Sequence, residues 1–492
     1  MTLPVFLFIV TLLFVETVVV HQQEILMSSN HLVKKIPGEK FTPFALACKL
    51  KAVAILESSS LSKGRARYSL LLLNEAFRMV QNDAVTYLVT KDGRRKKIVN
   101  GGRDILDAVK RFALFHKDVE HDFPFPAGGI GFLSFEFARF CDDIKFVERN
   151  DALGLPDAAF IFGSSFLIFD HYTDEIYILA LNYPGYKIDL EYELEKIEKK
   201  IFDLNFNYMA DPPEVAPAVM LNNDEVAEKY KKNVALIRDE VIKGNLLQGV
   251  PSRRLEIKTE IEAIDAYRSL RTANPSPYLV YLDFGDYQLY GASPEVHVKV
   301  KNGKVIVRPI AGTRRRGKNE AEDIALADEL LADPKERAEH LMLIDLARND
   351  LGRVCKIGTV NVTEYMIIEK YSKVMHIVSQ VEGELCDDCD STDAVRATFP
   401  AGTVSGAPKI QAIETISKIE SCNRGFYAGL VGYMDATGDL DTCITIRSGL
   451  KKHDKLYLQA GGGVVYDSTP ERELEETNEK LRAATLAAGI EV

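Results

Sequence analysis

The feature that most constrains the fold is a series of short, apolar, strand-like runs that are only partly separated by helices. Runs of strand type occur at 52–56, 159–162, 176–180, 278–283, 296–300, 305–307, 429–435, 442–446 and 456–460. Helical periodicity occurs at 191–202, 224–243, 320–351 and 470–488. Because several strands follow one another directly, the order predicts an α+β fold. We expect a layered, β-sandwich-like core with surrounding helices, not a doubly wound parallel sheet.

The composition is that of an acidic globular protein. Of the 492 residues, 46% are hydrophobic and 27% are charged, and the net charge is −11. Such a chain lacks the basic face that phosphate backbones require, so we expect no nucleic-acid partner. Seven cysteines scattered over a long chain predict reduced thiols and a cytoplasmic location. The two cysteines at 386 and 389 are interpreted as part of an acidic surface loop.

The N-terminal residues 3–20 are almost all apolar and approach the length of a membrane span. No Lys or Arg precedes the run, no small-residue cleavage site follows it, and Glu16 would be costly inside a bilayer. Three interpretations stay open: a start codon assigned too far upstream, a signal anchor, or a buried helix or strand. We therefore treat residues 1–30 as an extension of uncertain status and favour a protein without membrane contact.

A proline-rich polar stretch at 211–217 is the best candidate for a boundary within the chain. It divides the sequence into a region at 31–205, a linker at 206–222 and a region at 223–492.

Two of the predicted helices begin with a pair of glutamates three residues apart. Glu336 and Glu339 follow a helix start at Asp333, and Glu473 and Glu476 follow a similar start near 468–470. Side chains at this spacing share a helix face. Two such helix starts can bind a hard divalent cation such as Mg²⁺, which keeps open positions for water and a substrate carboxylate. Taken alone, each pair is more often a solvated helix face.

Three further features allow a functional and a structural interpretation. Gly461–Gly463 could bring backbone N–H groups to a ligand, or could form a tight turn. Arg447 ends a strand-like run and could bind a carboxylate through two hydrogen bonds. His376 lies in an apolar run and could be a core residue or an acid/base group.

Several segments, in this order, resemble the chorismate-utilising enzymes, and in particular the first components of anthranilate synthase. The segments are 291–295, 309–313, 338–350, 399–403, 441–447, the glycines at 461–463, and Glu473 with Glu476. The likeness extends from about residue 31 to the end of the chain. It implies the α+β fold of that family. It also implies conversion of chorismate and ammonia to anthranilate and pyruvate, the first step of tryptophan biosynthesis.

The resemblance also implies roles for single residues. It implies that Glu339 and Glu476 bind Mg²⁺, with Glu336 and Glu473 supporting them. It implies that Glu295 is the general acid, that His376 assists proton transfer, and that Thr403 lines the same catalytic pocket. The implied substrate-binding residues are Gly312, Thr313, Tyr427, Arg447, Gly461, Gly462 and Gly463.

Two positions imply a choice between nucleophiles and products within the family. By this resemblance, Gln248 stands at the position where isochorismate and salicylate synthases carry a lysine that activates water. Ala311 stands where aminodeoxychorismate synthases carry a lysine. Without these lysines, the resemblance favours ammonia as nucleophile and anthranilate as product.

A second site is implied in the first region. The segment at 55–58 resembles the tryptophan-binding strand of the family, and 274–278 resembles its partner segment. The region at 31–205 is therefore expected to be regulatory and the region at 223–492 to bind chorismate. L-Tryptophan is expected to inhibit by feedback. The implied tryptophan residues are Glu57, Ser58, Pro277, Tyr278, Leu279, Val431, Tyr433 and Cys443.

The ammonia source and two alternative functions complete the expectations. No cysteine lies in a glutamine-amidotransferase nucleophile motif, so a separate glutamine amidotransferase subunit, component II, is expected to supply ammonia. The alternatives are an aminodeoxyisochorismate synthase, which stops before pyruvate is lost, and a non-catalytic tryptophan sensor on the same fold.

Overall fold

The computed structural model describes residues 30–490, except 61–63, 66, 99–101, 150, 152, 207–216 and 372. The apolar run at 3–20 and most of the predicted linker lie outside the described residues. Within the described part of the chain, no helix combines the length and the apolar character needed to cross a bilayer.

Helices and strands alternate irregularly along the described residues. The helices are α1 (Pro43–Leu50), α2 (Ile105–Ala113), α3 (Leu190–Phe202), α4 (Asn223–Ile242), α5 (Ala263–Ala273), α6 (Glu320–Ala332), α7 (Pro334–Gly352), α8 (Ser391–Thr398), α9 (Gly402–Ser405), α10 (Lys409–Ile419) and α11 (Pro470–Ala487), with 3₁₀ turns at Leu114–His116 and Phe135–Phe140. The strands are β1 (His31–Pro37), β2 (Ala54–Glu57), β3 (Ser59–Ser60), β4 (Gly64–Arg65), β5 (Tyr68–Asn82), β6 (Val85–Thr90), β7 (Arg95–Lys97), β8 (Ile130–Leu133), β9 (Ala158–Asp170), β10 (Glu175–Leu181), β11 (Ala218–Met220), β12 (Gln248–Gly249), β13 (Ser252–Thr259), β14 (Tyr278–Asp283), β15 (Gln288–Ser293), β16 (Val296–Lys301), β17 (Lys304–Val307), β18 (Ile310–Arg315), β19 (Asn361–Lys370), β20 (Val374–Glu384), β21 (Gly406–Ala407), β22 (Leu430–Met434), β23 (Leu440–Ile444), β24 (Ser448–Lys452) and β25 (Lys455–Gly461).

The strands form a large antiparallel sheet system that joins both halves of the chain. In the described residues, 21 strands belong to one hydrogen-bonded network. β2 pairs with β5 on one side and with β14 on the other, and β8 pairs with both β9 and β22. The mixture of helices with antiparallel strands confirms the α+β prediction. The division at 206–222 stays a prediction, and strands from its two sides share hydrogen bonds.

Strand β9 shows why the predicted strands are often too short. All 13 of its residues are buried, because its two faces pack into two different hydrophobic clusters, with Phe166 and Ile168 in one and Leu167 and Phe169 in the other. A strand that is buried on both faces loses the alternation of apolar and polar residues by which strands are recognised. Only the residues at 159–162 were therefore predicted.

The helical block at 320–351 consists of two helices, and the predicted helix start at Asp333 is confirmed. Oδ1 of Asp333 accepts hydrogen bonds from the backbone N–H groups of Lys335 and Glu336 at 3.0 and 3.3 Å. This cap and Pro334 start a second helix, α7. The expectation of reduced thiols is wrong for Cys386 and Cys389, which form a disulfide.

Candidate active site

The two predicted glutamate pairs meet at the N-terminal turns of α7 and α11. Partial burial raises the pKa of Glu339 to about 7. Lys335 opposes this rise, and the negative charges of Glu336, Glu476 and Glu473 add smaller contributions to it. Carboxylates on two different helices can influence one another in this way only when they are close. The glutamates of α7 and α11 therefore lie near one another.

The pair on α11 is only partly satisfied by the protein itself. Oε2 of Glu473 is buried and has no hydrogen-bond partner among the described residues, and burial raises the pKa of this carboxyl. Glu476 differs, because Nζ of Lys480 lies 2.5 Å from its Oε1. Burial alone would raise the pKa of Glu476, but the ammonium outweighs that effect and the pKa is lowered.

The three glycines after β25 leave room beside these carboxylates. A Cβ added to Gly462 would lie 2.8 Å from Oε2 of Glu473 and 3.0 Å from the hydroxyl of Tyr230. A Cβ on Gly463 would lie 2.5 Å from Nε2 of Gln248. Side chains at these positions would collide with the groups around the cavity, so glycine keeps the backbone accessible to a ligand.

Arg447 provides a positive charge opposite the carboxylates. It lies between β23 and β24 with φ +51°, and its guanidinium makes no hydrogen bond or ion pair with the described residues. Burial lowers its pKa, while Tyr427, Glu476 and Glu295 act in the opposite direction. A guanidinium held near carboxylates without pairing with them is suited to an anionic ligand, because its geometry matches a carboxylate.

Glu295 lies between β15 and β16 and is 5% exposed. Burial raises its pKa to about 8, although the Thr403 hydroxyl, the backbone at Ile310 and the charge of Arg447 partly oppose the rise. The carboxyl is therefore mostly protonated at pH 7 and can donate a proton. The buried hydroxyl of Thr403 is close enough to affect this carboxyl, yet it makes no well-formed hydrogen bond with the described residues.

His376 on β20 lies opposite Thr313 on β18. Its Nδ1 is 2.9 Å from the carbonyl oxygen of Gly312 and 3.1 Å from Oγ1 of Thr313. Because a carbonyl can only accept, we assign the proton to Nδ1, which leaves the lone pair on Nε2. Burial lowers the pKa of His376 to about 4, so the ring is neutral at pH 7. Gly312 has φ +65° at a bulge in β18, a conformation that favours glycine.

The structure thus brings together the predicted catalytic, substrate-binding and carboxylate residues, and it adds two that the sequence analysis missed. Lys480 donates to the carbonyl oxygen of Gly461 at 2.8 Å as well as contacting Glu476. Its position four residues after Glu476 on a helix was a usable signal. Tyr230 on α4 has a buried hydroxyl without a partner in the described residues. Its apolar neighbours at helical spacing indicated only a core residue.

The carboxylate groups fit a magnesium ion with few protein ligands. Among the described residues, no set of three or more His, Cys, Asp or Glu side chains forms a ready-made metal cage. Mg²⁺ is commonly held by one or two carboxylates, with water and substrate completing its shell. The facing carboxylates, the unpartnered Oε2 of Glu473 and the raised pKa of Glu339 are consistent with a site of that kind.

The predicted tryptophan residues lie on neighbouring strands. Glu57 of β2 pairs with Leu279 of β14. The Glu57 carboxylate accepts hydrogen bonds from Tyr267 at 2.8 Å and from Arg271 at 2.8 and 3.0 Å. Ser58 and Pro277 adjoin these two strands, and the remaining predicted residues lie on β14, β22 and β23: Tyr278, Val431, Tyr433 and Cys443.

Comparison with known proteins adds a family relationship. The family described as chorismate binding enzyme matches residues 71–486. Anthranilate synthase component 1 of Spirochaeta aurantia is 59% identical over 483 residues, which cover 98% of this chain and 100% of that protein. The crystal structure of anthranilate synthase component I from Streptococcus pneumoniae TIGR4 superimposes with a TM-score of 0.76 at 36% identity, covering 85% of this chain and 92% of the other. The menaquinone-specific isochorismate synthase of Escherichia coli shares the fold, with a TM-score of 0.71 at 17% identity over 95% of this chain and 96% of the other.

Proposed function

The chain belongs to the family of chorismate binding enzymes, and on this premise we infer that it is the large component of an anthranilate synthase, which acts in tryptophan biosynthesis. The observation that carries the chemistry is the buried carboxyl of Glu295, whose pKa burial raises to about 8, close to the guanidinium of Arg447. Chorismate is a dianion, and its ring hydroxyl is a poor leaving group. The site therefore offers both a positive charge for binding and an acid for the leaving group.

In the first step, ammonia adds to the ring of chorismate as the ring hydroxyl departs. Glu295 gives its proton to the leaving oxygen, which departs as water, and the added nitrogen loses a proton. Thr403, beside Glu295, orients the acid. Gln248 lies next to Gly463, and its neutral amide cannot remove a proton from water, which favours ammonia over water as nucleophile.

In the second step, the ring loses a proton and pyruvate is eliminated to give anthranilate. His376 is neutral, and its Nε2 carries the lone pair that can accept the ring proton. The bond from the ring to the enolpyruvyl oxygen breaks, and the enolpyruvyl methylene takes up a proton to become pyruvate. Thr313 and the carbonyl of Gly312 hold the imidazole in the orientation that this transfer needs.

Glu339 and Glu476 are proposed to hold Mg²⁺, with Glu336 and Glu473 supporting them. When bound, the ion supplies positive charge to the ring carboxylate of the substrate. Arg447, Tyr427 and the backbone of Gly461–Gly463 bind the rest of the substrate.

Two interactions complete the proposal. A glutamine amidotransferase subunit supplies ammonia. The proposed site residues bind and convert chorismate, and none of them is a cysteine that could release ammonia from glutamine. The relatives' designation as component 1 supports such a partner. L-Tryptophan inhibits by binding near Glu57, Ser58 and Tyr278, on strands that adjoin the segment carrying Glu295.

The test uses the purified full chain with chorismate, Mg²⁺ and ammonium, and follows anthranilate by fluorescence and pyruvate by a coupled assay. We expect both products in equal amounts and their loss when EDTA removes the metal. A stable aminated intermediate without pyruvate would instead identify an aminodeoxyisochorismate synthase. Tryptophan binding without any turnover would identify a sensor.

A further inference from the structure

A small cavity lies behind Glu295, on the side that faces α7. Its volume of about 30 Å³ exceeds the ~10–15 Å³ that one buried water needs. Glu295 and Thr403 line it, whereas Arg447, His376 and the four glutamates of the proposed metal site do not. The cavity is therefore distinct from the substrate pocket and shares only the acid and its neighbouring hydroxyl with it.

Three residues that line this otherwise largely apolar cavity carry buried polar atoms without well-formed hydrogen bonds. His297 is 2% exposed, and neither ring nitrogen makes a well-formed hydrogen bond with the described residues, although the backbone of Thr398 is close enough to affect the pKa of the ring. Nε of Arg308 and Oγ1 of Thr403, which also belong to lining residues, are unpartnered as well. Buried polar atoms in proteins are nearly always hydrogen-bonded, to other groups or to ordered water. A cavity with this lining therefore fits water and not an empty apolar void.

His297 follows Glu295 by two residues, and both residues line the cavity. Glu295 immediately precedes β16, and His297 is the second residue of that strand. Residues two apart in extended chain point to the same face, so both side chains reach the cavity. The charged group that acts on His297 is Lys409 of α10, and it pairs at 2.7 Å with Asp350 of α7, which lines the cavity. The charged groups that face Glu295 from the substrate side are Arg447 and Lys480.

We propose that this cavity holds ordered water, that His297 anchors the water, and that the water donates a hydrogen bond to the oxygen of Glu295 that faces the cavity. The inference rests on the proposed role of Glu295 as the general acid. An oxygen that accepts such a bond is the carbonyl oxygen of the protonated carboxyl. The acid proton is then held on the other oxygen, which faces the substrate. His297 is thus a positioning residue that acts through water.

The test compares His297→Phe, which fills the cavity with an apolar ring, with His297→Asn, which keeps a polar group. His116→Phe is the matched control, because His116 is also 2% exposed with two unpartnered ring nitrogens and does not line this cavity. We expect His297→Phe to lower kcat ~10-fold with KM nearly unchanged. We also expect the alkaline fall of activity to move up by ~0.5 pH unit or more, because loss of a donor disfavours ionised Glu295. His297→Asn and His116→Phe should keep the wild-type profile.

A crystal structure of the wild-type protein provides the second measurement. Ordered water within hydrogen-bonding distance of His297 and Glu295 is expected in the wild type, and its loss in His297→Phe. A dry cavity in the wild type would overturn the proposal even if His297→Phe failed to fold. An unchanged kcat and pH profile in a folded His297→Phe would also overturn it. Neither outcome affects the proposed function, which fails only if the wild type makes no anthranilate.

Discussion

The proposed catalytic site and the predicted tryptophan site differ in whether their charged side chains are paired with other protein groups. In the catalytic site, Arg447 is unpaired within the described residues, and Glu473 has a buried oxygen without a partner. In the tryptophan site, Glu57 is paired with Arg271, and Asp441 accepts hydrogen bonds from Tyr278 at 2.7 Å and Lys299 at 2.6 Å. The catalytic site therefore has polar groups that are available to a ligand, whereas the polar groups of the tryptophan site are paired within the protein.

This difference indicates how each site would recognise a ligand. Unpaired buried groups destabilise the free protein and are relieved by a ligand of opposite charge, so the catalytic site is preorganised for a dianion and a cation. A ligand at the tryptophan site would find the charges already neutralised. It would have to bind through shape, apolar contact and exposed backbone, or else replace existing pairs. The two sites are coupled locally, because Tyr278 pairs with Ser293, two residues from Glu295.

The largest expected effect comes from Glu476→Gln, which removes one proposed metal ligand. Activity should fall by ~10³-fold or more, because the substrate carboxylate would lose the charge that offsets its own. Steady-state assays at saturating Mg²⁺ measure this loss. Tryptophan binding, measured by calorimetry, should be largely retained, because Glu476 on α11 is not one of the predicted tryptophan residues.

Glu479→Gln is the matched control for this change. Glu479 is exposed, lies three residues further along α11 and removes the same charge, and it is not one of the proposed metal ligands. It should leave both activity and tryptophan binding unchanged. Normal turnover by Glu476→Gln would contradict the assignment of the metal ligands.

Glu295→Gln should lower kcat by ~10²–10⁴-fold while KM for chorismate changes little, because the amide keeps the shape of the side chain but cannot donate a proton as an acid. The wild type should lose activity above about pH 8 as Glu295 ionises. The variant should lack that alkaline limb. A wild-type profile in Glu295→Gln, merely scaled down, would mean that another group supplies the proton.

The sequence predicted those parts of the site that depend on local pattern. Asp333 and Pro334 start α7 as their capping preferences indicate, and the glycines at 461–463 lie at the proposed ligand site. The same local rules place Glu339 and Glu476 on the second turns of two helices. Whether those helices come close together depends on the tertiary structure. Spacing alone did not predict it, and the resemblance to a family did.

Other features depend on contacts between distant segments, and sequence reasoning did not find them. The pairing of β8 with β22 joins residues far apart in the chain. The left-handed conformation of Arg447 and the missing partners of Tyr230 and His297 become visible only when the surrounding elements are in place. The polarity of a site can be read from residue types, whereas the pairing of its groups cannot.

Ser58→Phe tests the tryptophan site directly. A phenyl group beside β2 should fill the proposed pocket and raise the tryptophan concentration for half inhibition by ~10-fold or more. Activity without tryptophan should change little, because Ser58 lies outside the group of catalytic residues. Inhibition curves at fixed chorismate measure the shift.

Ser58→Ala, which adds no volume, is the control and should stay close to the wild type. If Ser58→Phe were inhibited normally, the regulatory assignment of this region would be lost. The catalytic assignment would be unaffected.

The smallest expected effects concern stability, and they should have opposite signs in the two sites. Glu339→Gln should stabilise the metal-free protein by about 1 kcal/mol at pH 8, after allowance for its partial exposure, because its raised pKa makes ionisation costly in the folded state. A carboxyl with a raised folded pKa lowers stability as the pH rises from its unfolded pKa through about 7. The benefit of Glu339→Gln should therefore vanish near pH 4.5 and below.

Tyr278→Phe should instead destabilise the protein by about 1–2 kcal/mol, because Asp441 loses a hydrogen bond. Urea unfolding in EDTA, at pH 8 and at pH 4.5, measures both variants against the wild type. If Glu339→Gln destabilised the protein at pH 8, the carboxylates of α7 and α11 would not repel one another in the free protein. The contrast between an unpaired catalytic site and a paired tryptophan site would then not hold.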